Sequence, residues 1–172
     1  KDHWLPALKK MKTNIDKFVP NADYWLWIDN NCQLQVDPHS LLHHLDDCDI
    51  VVMPHPERSD IIEEANTLLK WKPEQSQGIQ EGINQYYVEG YVPKDLYETK
   101  VLMRRNTKKV REFNSLWWNE IQKHSIRDQI SFPYVSWKTK MFINTFPGNN
   151  SQSKSRAQWK NYIPYWEDIK RV

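Results

Sequence analysis

The sequence predicts an α/β fold, on three observations. Apolar runs of strand length, Tyr24–Ile28 and Ile50–Met53, alternate with longer stretches whose apolar residues recur every three or four positions. The first run is large and apolar throughout, then stops at Asp29-Asn30-Asn31, as a buried central strand does at its carboxyl end. No internal repeat is present, and 172 residues suffice for one domain with a core, assigned to 1–147.

The elements follow in order. Leu5, Leu8, Met11, Ile15 and Phe18 define an amphipathic helix over 5–18, with Lys9, Lys10, Lys12 and Lys17 on its wet side. A turn at Pro20–Asp23 leads to the strand 24–28. Gln33–Val36 alternates polar and apolar, as a half-exposed strand does. Asp37-Pro38 opens a helix over 38–46, with Asp37 as N-cap and Pro38 at the first helical position. Asp49–Met53 is a second buried strand, and Pro54-His55-Pro56 fixes a rigid loop after it. Ser59 or Asp60 caps a helix to about Lys70, and another helix over 75–89 is stopped by Gly90. Lys100–Met103 reads as a strand. Thr107 caps a long helix to about His124, with Val110, Phe113, Leu116, Trp117 and Ile121 on its apolar side. Ile130 to Trp137 is helix-like but interrupted at Pro133, and Met141–Phe146 supplies a last strand. The remainder, 148–172, is a polar loop followed by an aromatic and basic segment expected to pack on the same domain.

A net charge of +2 does not suggest a dedicated nucleic-acid binder. Aromatic residues reach 13%, with nine Trp and eight Tyr, which suits either core filling or stacking on sugars and bases. The two cysteines, Cys32 and Cys48, have no zinc spacing, and no stretch has the length of a membrane span or the form of a signal peptide. A cytoplasmic location, or the cytoplasmic face of a membrane, is the expectation. Dinucleotide, P-loop, nucleophile-elbow and HExxH motifs are absent. His39 and His43, four apart, have metal-ligand spacing without a third ligand; a solvated helix face is the alternative.

From Phe18 to Trp137 the chain resembles a glycosyltransferase-like domain family. The family was first catalogued as a domain of unknown function, in plant mucilage- and pollen-turgor-related proteins and bacterial polysaccharide loci. The resemblance is carried by Tyr24–Asp29 with Val36-Asp37-Pro38, by His55 with Arg58 and Glu64-Ala65, and by Glu89-Gly90. Glu98 with Arg104 and the block Leu116–Glu120 closing with Arg127–Phe132 complete it. Arg105 and Asn106 stand where relatives usually carry Glu and His, and Gly82 lies near where a Gln is expected.

The resemblance implies a GT-A-like, Rossmann-like mixed sheet flanked by helices, with its first strands expected before Lys1 or within very little sequence. It implies a hexosyl- or pentosyltransferase moving sugar from a nucleotide-sugar donor to a glycan or other hydroxyl acceptor, as in polysaccharide biosynthesis. Asp29 is then the expected ligand of Mn²⁺ or Mg²⁺ and the donor diphosphate, with one carboxylate where two are usual; the alternative is a simple turn. Asn31, His55, Arg58, Arg104 and Arg127 are the expected donor-binding residues, the arginines through bidentate contacts to phosphate. Asp128 is the candidate general base, or else an N-cap or salt-bridge residue, and Gln129 the candidate partner of a sugar hydroxyl. Asp128→Asn is expected to abolish transfer and leave folding intact. Pairing of His55, Arg58 or Arg104 with Glu64, Glu98 or Glu120, above all for Arg58, is the structural alternative; Trp117 and Trp118 are read as core, with a sugar-stacking platform as the alternative.

Two other function classes stay open. One is a degenerate carbohydrate- or nucleotide-binding module. The other is a transferase acting on modified nucleic-acid bases, using Lys108, Lys109, Arg111, Lys154, Arg156 and Lys160 to track phosphates.

Overall fold

The computed structural model describes residues 5–147 and the backbone of 166–168. In chain order the elements are α1 (Leu5–Thr13), α2 (Ile15–Phe18), β1 (Tyr24–Ile28), β2 (Cys32–Leu34), β3 (Ile50–Pro54), α3 (Ile61–Trp71), α4 (Ser76–Val88), β4 (Tyr97–Arg105), α5 (Lys108–Lys123), α6 (Asp128–Lys138), β5 (Ile143–Thr145) and β6 (Trp166–Asp168). Two 3-10 helices, Pro38–Leu45 and Pro73–Gln75, complete the set.

The main sheet has the order β1-β4-β3-β5. β4 runs antiparallel to both its neighbours, and β3 pairs parallel with β5. Strands β1, β3 and β5 therefore all point one way, and their carboxyl ends share one edge with the start of β4. The fold is α/β, as its sequence pattern predicts, and the sheet is mixed, as the resemblance implies.

β3 shows why the sheet is buried on both faces. Its alternation sends Ile50 and Val52 to a core shared with Ile61, Val110, Phe113, Trp117, Phe132 and Val135 of α3, α5 and α6. Val51 and Met53 face a second cluster with Leu41, Leu45, Cys32 and Phe146. β2 and β6 form a separate two-stranded sheet. The expected flap at the C-terminus is thus described only as the β6 backbone; 148–165 and 169–172 lie outside the described residues.

Three local expectations are corrected. The helix over 5–18 is broken at Asn14, where Thr13 Oγ1 donates to Lys9 O (2.8 Å) and Asn14 Nδ2 to Lys10 O (3.4 Å), competing with the helix ladder. Its buried side is also the polar one: Lys12, Thr13 and Asp16 are buried, whereas Leu8, Met11 and Phe18 are exposed. The segment 38–45 is wound as 3-10 rather than α-helix, with Asp46 N to His43 O and Ser40 N to Asp37 O closing three-residue turns. Its N-cap is Asp37, as the sequence suggests. α6 runs through Pro133 without interruption. Eight consecutive buried residues, Asp128–Val135, anchor it, enough to outweigh the roughly 3 kcal/mol an interior proline costs.

α4 approaches the end of α5 across glycines. A Cβ on Gly78 would sit 1.9 Å from the carbonyl oxygen of His124, a backbone atom that cannot rotate away. Gly78→Ala is expected to cost about 1–3 kcal/mol by forcing the helices apart. Urea denaturation of the variant checks this.

Candidate functional site

In open α/β sheets, ligands bind beyond the carboxyl ends of the strands. Here that edge presents Asp29 after β1 and His55 after β3. The β3–β4 register then jumps, Val52 pairing with Leu102 but Met53 with Glu98. The jump leaves Thr99–Val101 as an insertion on β4 at the same edge and turns Thr99 towards α6.

Asp128, the first residue of α6, sits at the centre of the first cluster. Its Oδ2 receives Lys9 Nζ at 2.7 Å, Lys12 Nζ at 2.9 Å and the Thr99 hydroxyl at 3.0 Å. Thr99 in turn accepts from Lys12 Nζ at 3.0 Å. Lys12 continues to Asp29, whose Oδ1 lies 3.6 Å away and also accepts Trp27 Nε1 at 2.6 Å. One ammonium thus bridges the two sequence-predicted acids. They differ in access: the Asp128 side chain is 3% exposed and that of Asp29 37%. Burial alone would raise the Asp128 carboxyl, but Lys12 and Lys9 together hold it well below the carboxylate range. Burial lowers Lys12, and Asp128 only partly offsets that.

The second cluster adjoins the first through Arg127. Glu64, fully buried on α3, accepts Arg58 Nε at 2.5 Å and Arg127 Nε at 2.6 Å on separate oxygens. Of the three acids the sequence offers Arg58 as a structural partner, Glu64, Glu98 and Glu120, it pairs with Glu64. Among the described residues the Nη groups of Arg127 have no partner, and its side chain is 37% exposed. His55 Nδ1 faces the backbone N–H of Glu57 (3.2 Å) and Arg58 (3.1 Å), while Arg58 Nη2 lies 3.0 Å from Nε2.

Burial, with Arg58 beside it, lowers His55 from 6.5 to about 4, so the ring is neutral at pH 7. The unfolded chain takes up this proton first. Stability from this group is therefore complete above about pH 6.5 and is lost as the pH falls towards about 4. In His55→Asn, which keeps an acceptor for the two N–H groups, this slope is expected to disappear from the curve of melting temperature against pH.

The remaining site residues divide. Gln129 is buried beside Asp128, and its Oε1 has no partner among the described residues. Asn31 lies near Asp29, with its Oδ1 3.8 Å from Cys32 Sγ. Arg104 is not in the group. It is fully buried inside the fold, donating to the carbonyls of Lys12 (2.7 Å) and Thr13 (3.5 Å) and to Asn114 Oδ1 (2.6 Å). It closes the end of α1, where a cation meets the helix dipole favourably. Trp117 is core, its indole N–H donating to Asp128 O at 3.1 Å.

Lys12, Lys9 and Thr99 are the site residues the sequence reading missed. The available signal was spacing: Leu5, Lys9, Lys12 and Asp16 fall on one helical stripe.

A hard divalent cation takes several oxygens, preferably from carboxylates. Asp29 offers one carboxylate, and its Oδ1 already faces an indole N–H and an ammonium. Among the described residues no three His, Cys, Asp or Glu side chains converge, His39 and His43 included. These residues as arranged do not fit a metal ion. No described helix is long and apolar enough to cross a membrane.

The sequence model of the TOD1/MUCI70 glycosyltransferase-like domain matches residues 9–156. The chain is 28% identical over 156 residues to the probable hexosyltransferase MUCI70 of Arabidopsis thaliana, covering 79% of this chain and 27% of that protein. It is 26% identical over 134 residues to the alkaline ceramidase TOD1 of the same plant, covering 70% of this chain and 29% of that protein. The chain therefore spans less than a third of either relative. No solved structure matches. With most of its length matched, residues 9–156 from α1 to beyond β5, the chain belongs to the TOD1/MUCI70 glycosyltransferase-like domain family.

Proposed function

We propose that this chain is a GT-A-like glycosyltransferase domain that transfers a hexosyl or pentosyl group from a nucleotide sugar to a hydroxyl of a glycan. The observation that carries the reading is the carboxyl-edge cluster, all within the family match, in which Lys12 bridges Asp29 and Asp128 while Arg127, next to Asp128 in the chain, is held by Glu64.

The roles follow from access and charge. A donor brings a diphosphate, and Arg127, aimed by its Nε bond to Glu64, has Nη groups without a partner among the described residues to meet it. Lys9 adds an ammonium whose side chain is 18% exposed. Asp29 is the carboxylate that an acceptor hydroxyl can reach. A bare carboxylate beside a diphosphate would be repelled, so its favourable partner is that hydroxyl.

In the reaction the acceptor oxygen bonds to the anomeric carbon and its proton passes to Asp29. The bond from that carbon to the phosphate oxygen breaks. The nucleoside diphosphate leaves with the electron pair, its charge met by Arg127. Asp128 is a weak base because two ammoniums hold it ionised, so it serves as a positioning residue for Lys12. Gln129 Oε1, buried without a partner among the described residues, would accept a sugar hydroxyl.

The test is release of nucleoside diphosphate from a panel of nucleotide sugars, with and without glycan acceptors. A short-chain ceramide is run in parallel because of the second relative. Acceptor-dependent release with one donor supports the reading. Fatty-acid release from ceramide without any donor turnover would overturn it.

A further inference from the structure

A second cavity lies away from the acid–ammonium cluster, and no role above uses it. It has a volume of about 400 Å³ and is bounded by Tyr91, the C-terminal half of α6 and the approach to β5. A larger cleft of about 830 Å³ contains His55 and Arg58. The two share Lys94, Asp95, Tyr97 and Ile143 as lining, so they form one groove leading to the carboxyl edge.

The chemistry of the outer part is mixed in a specific way. Trp137 is 40% exposed and Phe142 63%, both lining the cavity. Trp137 is held by ring contacts to Tyr91 at 5.7 Å and Tyr134 at 5.9 Å, so it offers a fixed flat surface. Beside these rings stand the charged Lys94 and Asp95. Tyr91 also lines the cavity. It is 2% exposed, and its buried hydroxyl has no hydrogen-bond partner among the described residues. A buried hydroxyl without a partner is a cost that a ligand can remove.

We infer that this groove is the acceptor subsite and takes a pyranose chain. A pyranose ring has an apolar C–H face that packs on Trp137 and Phe142. Its rim of hydroxyls meets Tyr91 Oη, Lys94 and Asp95. An acyl chain would cover the rings and leave the Tyr91 hydroxyl and both charges unanswered. The inference rests on the transferase reading, because the larger cleft is lined by His55 and Arg58 at the carboxyl edge, and Arg58 shares Glu64 with Arg127.

The test is calorimetric titration of the chain with defined tetrasaccharides: neutral hexose and pentose oligomers, α- and β-linked, and a uronic acid oligomer. Three proteins are compared. Phe142→Ala removes an exposed ring. Tyr91→Phe removes only the orphaned hydroxyl and is expected to fold at least as stably as wild type. Binding of one saccharide class, weakened about 3- to 10-fold in each variant at unchanged melting temperature, is the expected result.

Absence of binding by every saccharide would overturn the inference. So would binding equal in all three proteins, or occupation of the groove by short-chain ceramide in place of sugar. Nucleotide-sugar binding is measured on the same preparations, which separates the two readings. Donor binding without saccharide binding removes the groove and leaves the transferase. Saccharide binding without donor binding removes the transferase and leaves a glycan site.

Discussion

Asp128→Asn is expected to destabilise the fold by about 3–5 kcal/mol, which corrects the sequence-based expectation that it leaves folding intact. The change removes a charge that is itself 3% exposed and that faces Lys12, 2% exposed, at 2.9 Å. Among the described residues Lys12 would keep Thr99, the more distant Asp29 and the Trp27 ring as partners, with no close counter-charge. An ammonium left buried without its close counter-charge is costly because water cannot reach it. Urea denaturation of the single variants and of Lys12→Met/Asp128→Asn gives the coupling, expected at about 1–3 kcal/mol. Additive effects would show that the pair is not a unit. The pH dependence has a definite sign. The Asp128 carboxyl is held below its ordinary value of 3.8, so its contribution is complete above that pH and is lost as the pH falls below it.

Asp29→Asn is expected to do the opposite: fold normally and fail in transfer. Its side chain is 37% exposed, and asparagine keeps an oxygen for Trp27 Nε1. Loss of the proton acceptor should lower kcat by about 10²- to 10⁴-fold, with KM for the donor nearly unchanged. Steady-state release of nucleoside diphosphate at saturating donor measures this. Wild-type kcat in the variant would move the proton to another group.

The strands and most helix starts were legible because they are set by local pattern. The apolar run 24–28, Asp60 and Thr107 as caps, and Gly90 with φ 90° at the end of α4 are one-residue signals with one physical meaning. α1 was misread because periodicity finds the apolar face and assumes it is the buried one. Across α1 and α2 the buried face carries Lys12 and Asp16, since it meets polar partners, Thr99 and Asp128 for Lys12 and Asn114 of α5 for Asp16.

The same mechanism hid Lys9 and Lys12. Asp29 and His55 were legible as residues just past strand carboxyl ends, and Arg58, Arg127 and Asp128 were named from the resemblance, but Lys9 and Lys12 looked like solvated lysines. Thr99 reaches Asp128 from the insertion on β4, which no one-dimensional pattern contains. Arg104 was misplaced for the converse reason. An arginine at a strand end resembles a phosphate ligand, and only packing shows that helix carbonyls surround it.

The central claim is that a nucleotide sugar binds at the carboxyl edge against Arg127. The most direct measurement is the melting temperature of wild type and Arg127→Ala against a panel of nucleotide sugars, each with Mn²⁺, Mg²⁺ or EDTA. A ligand that binds only the native state at about 100 times its Kd should raise the wild-type midpoint by about 5–10 °C. The account predicts such a shift with one donor, lost in Arg127→Ala while that variant's own unliganded transition stays cooperative. A shift equal in both proteins, or none with any donor under any metal condition, would contradict it.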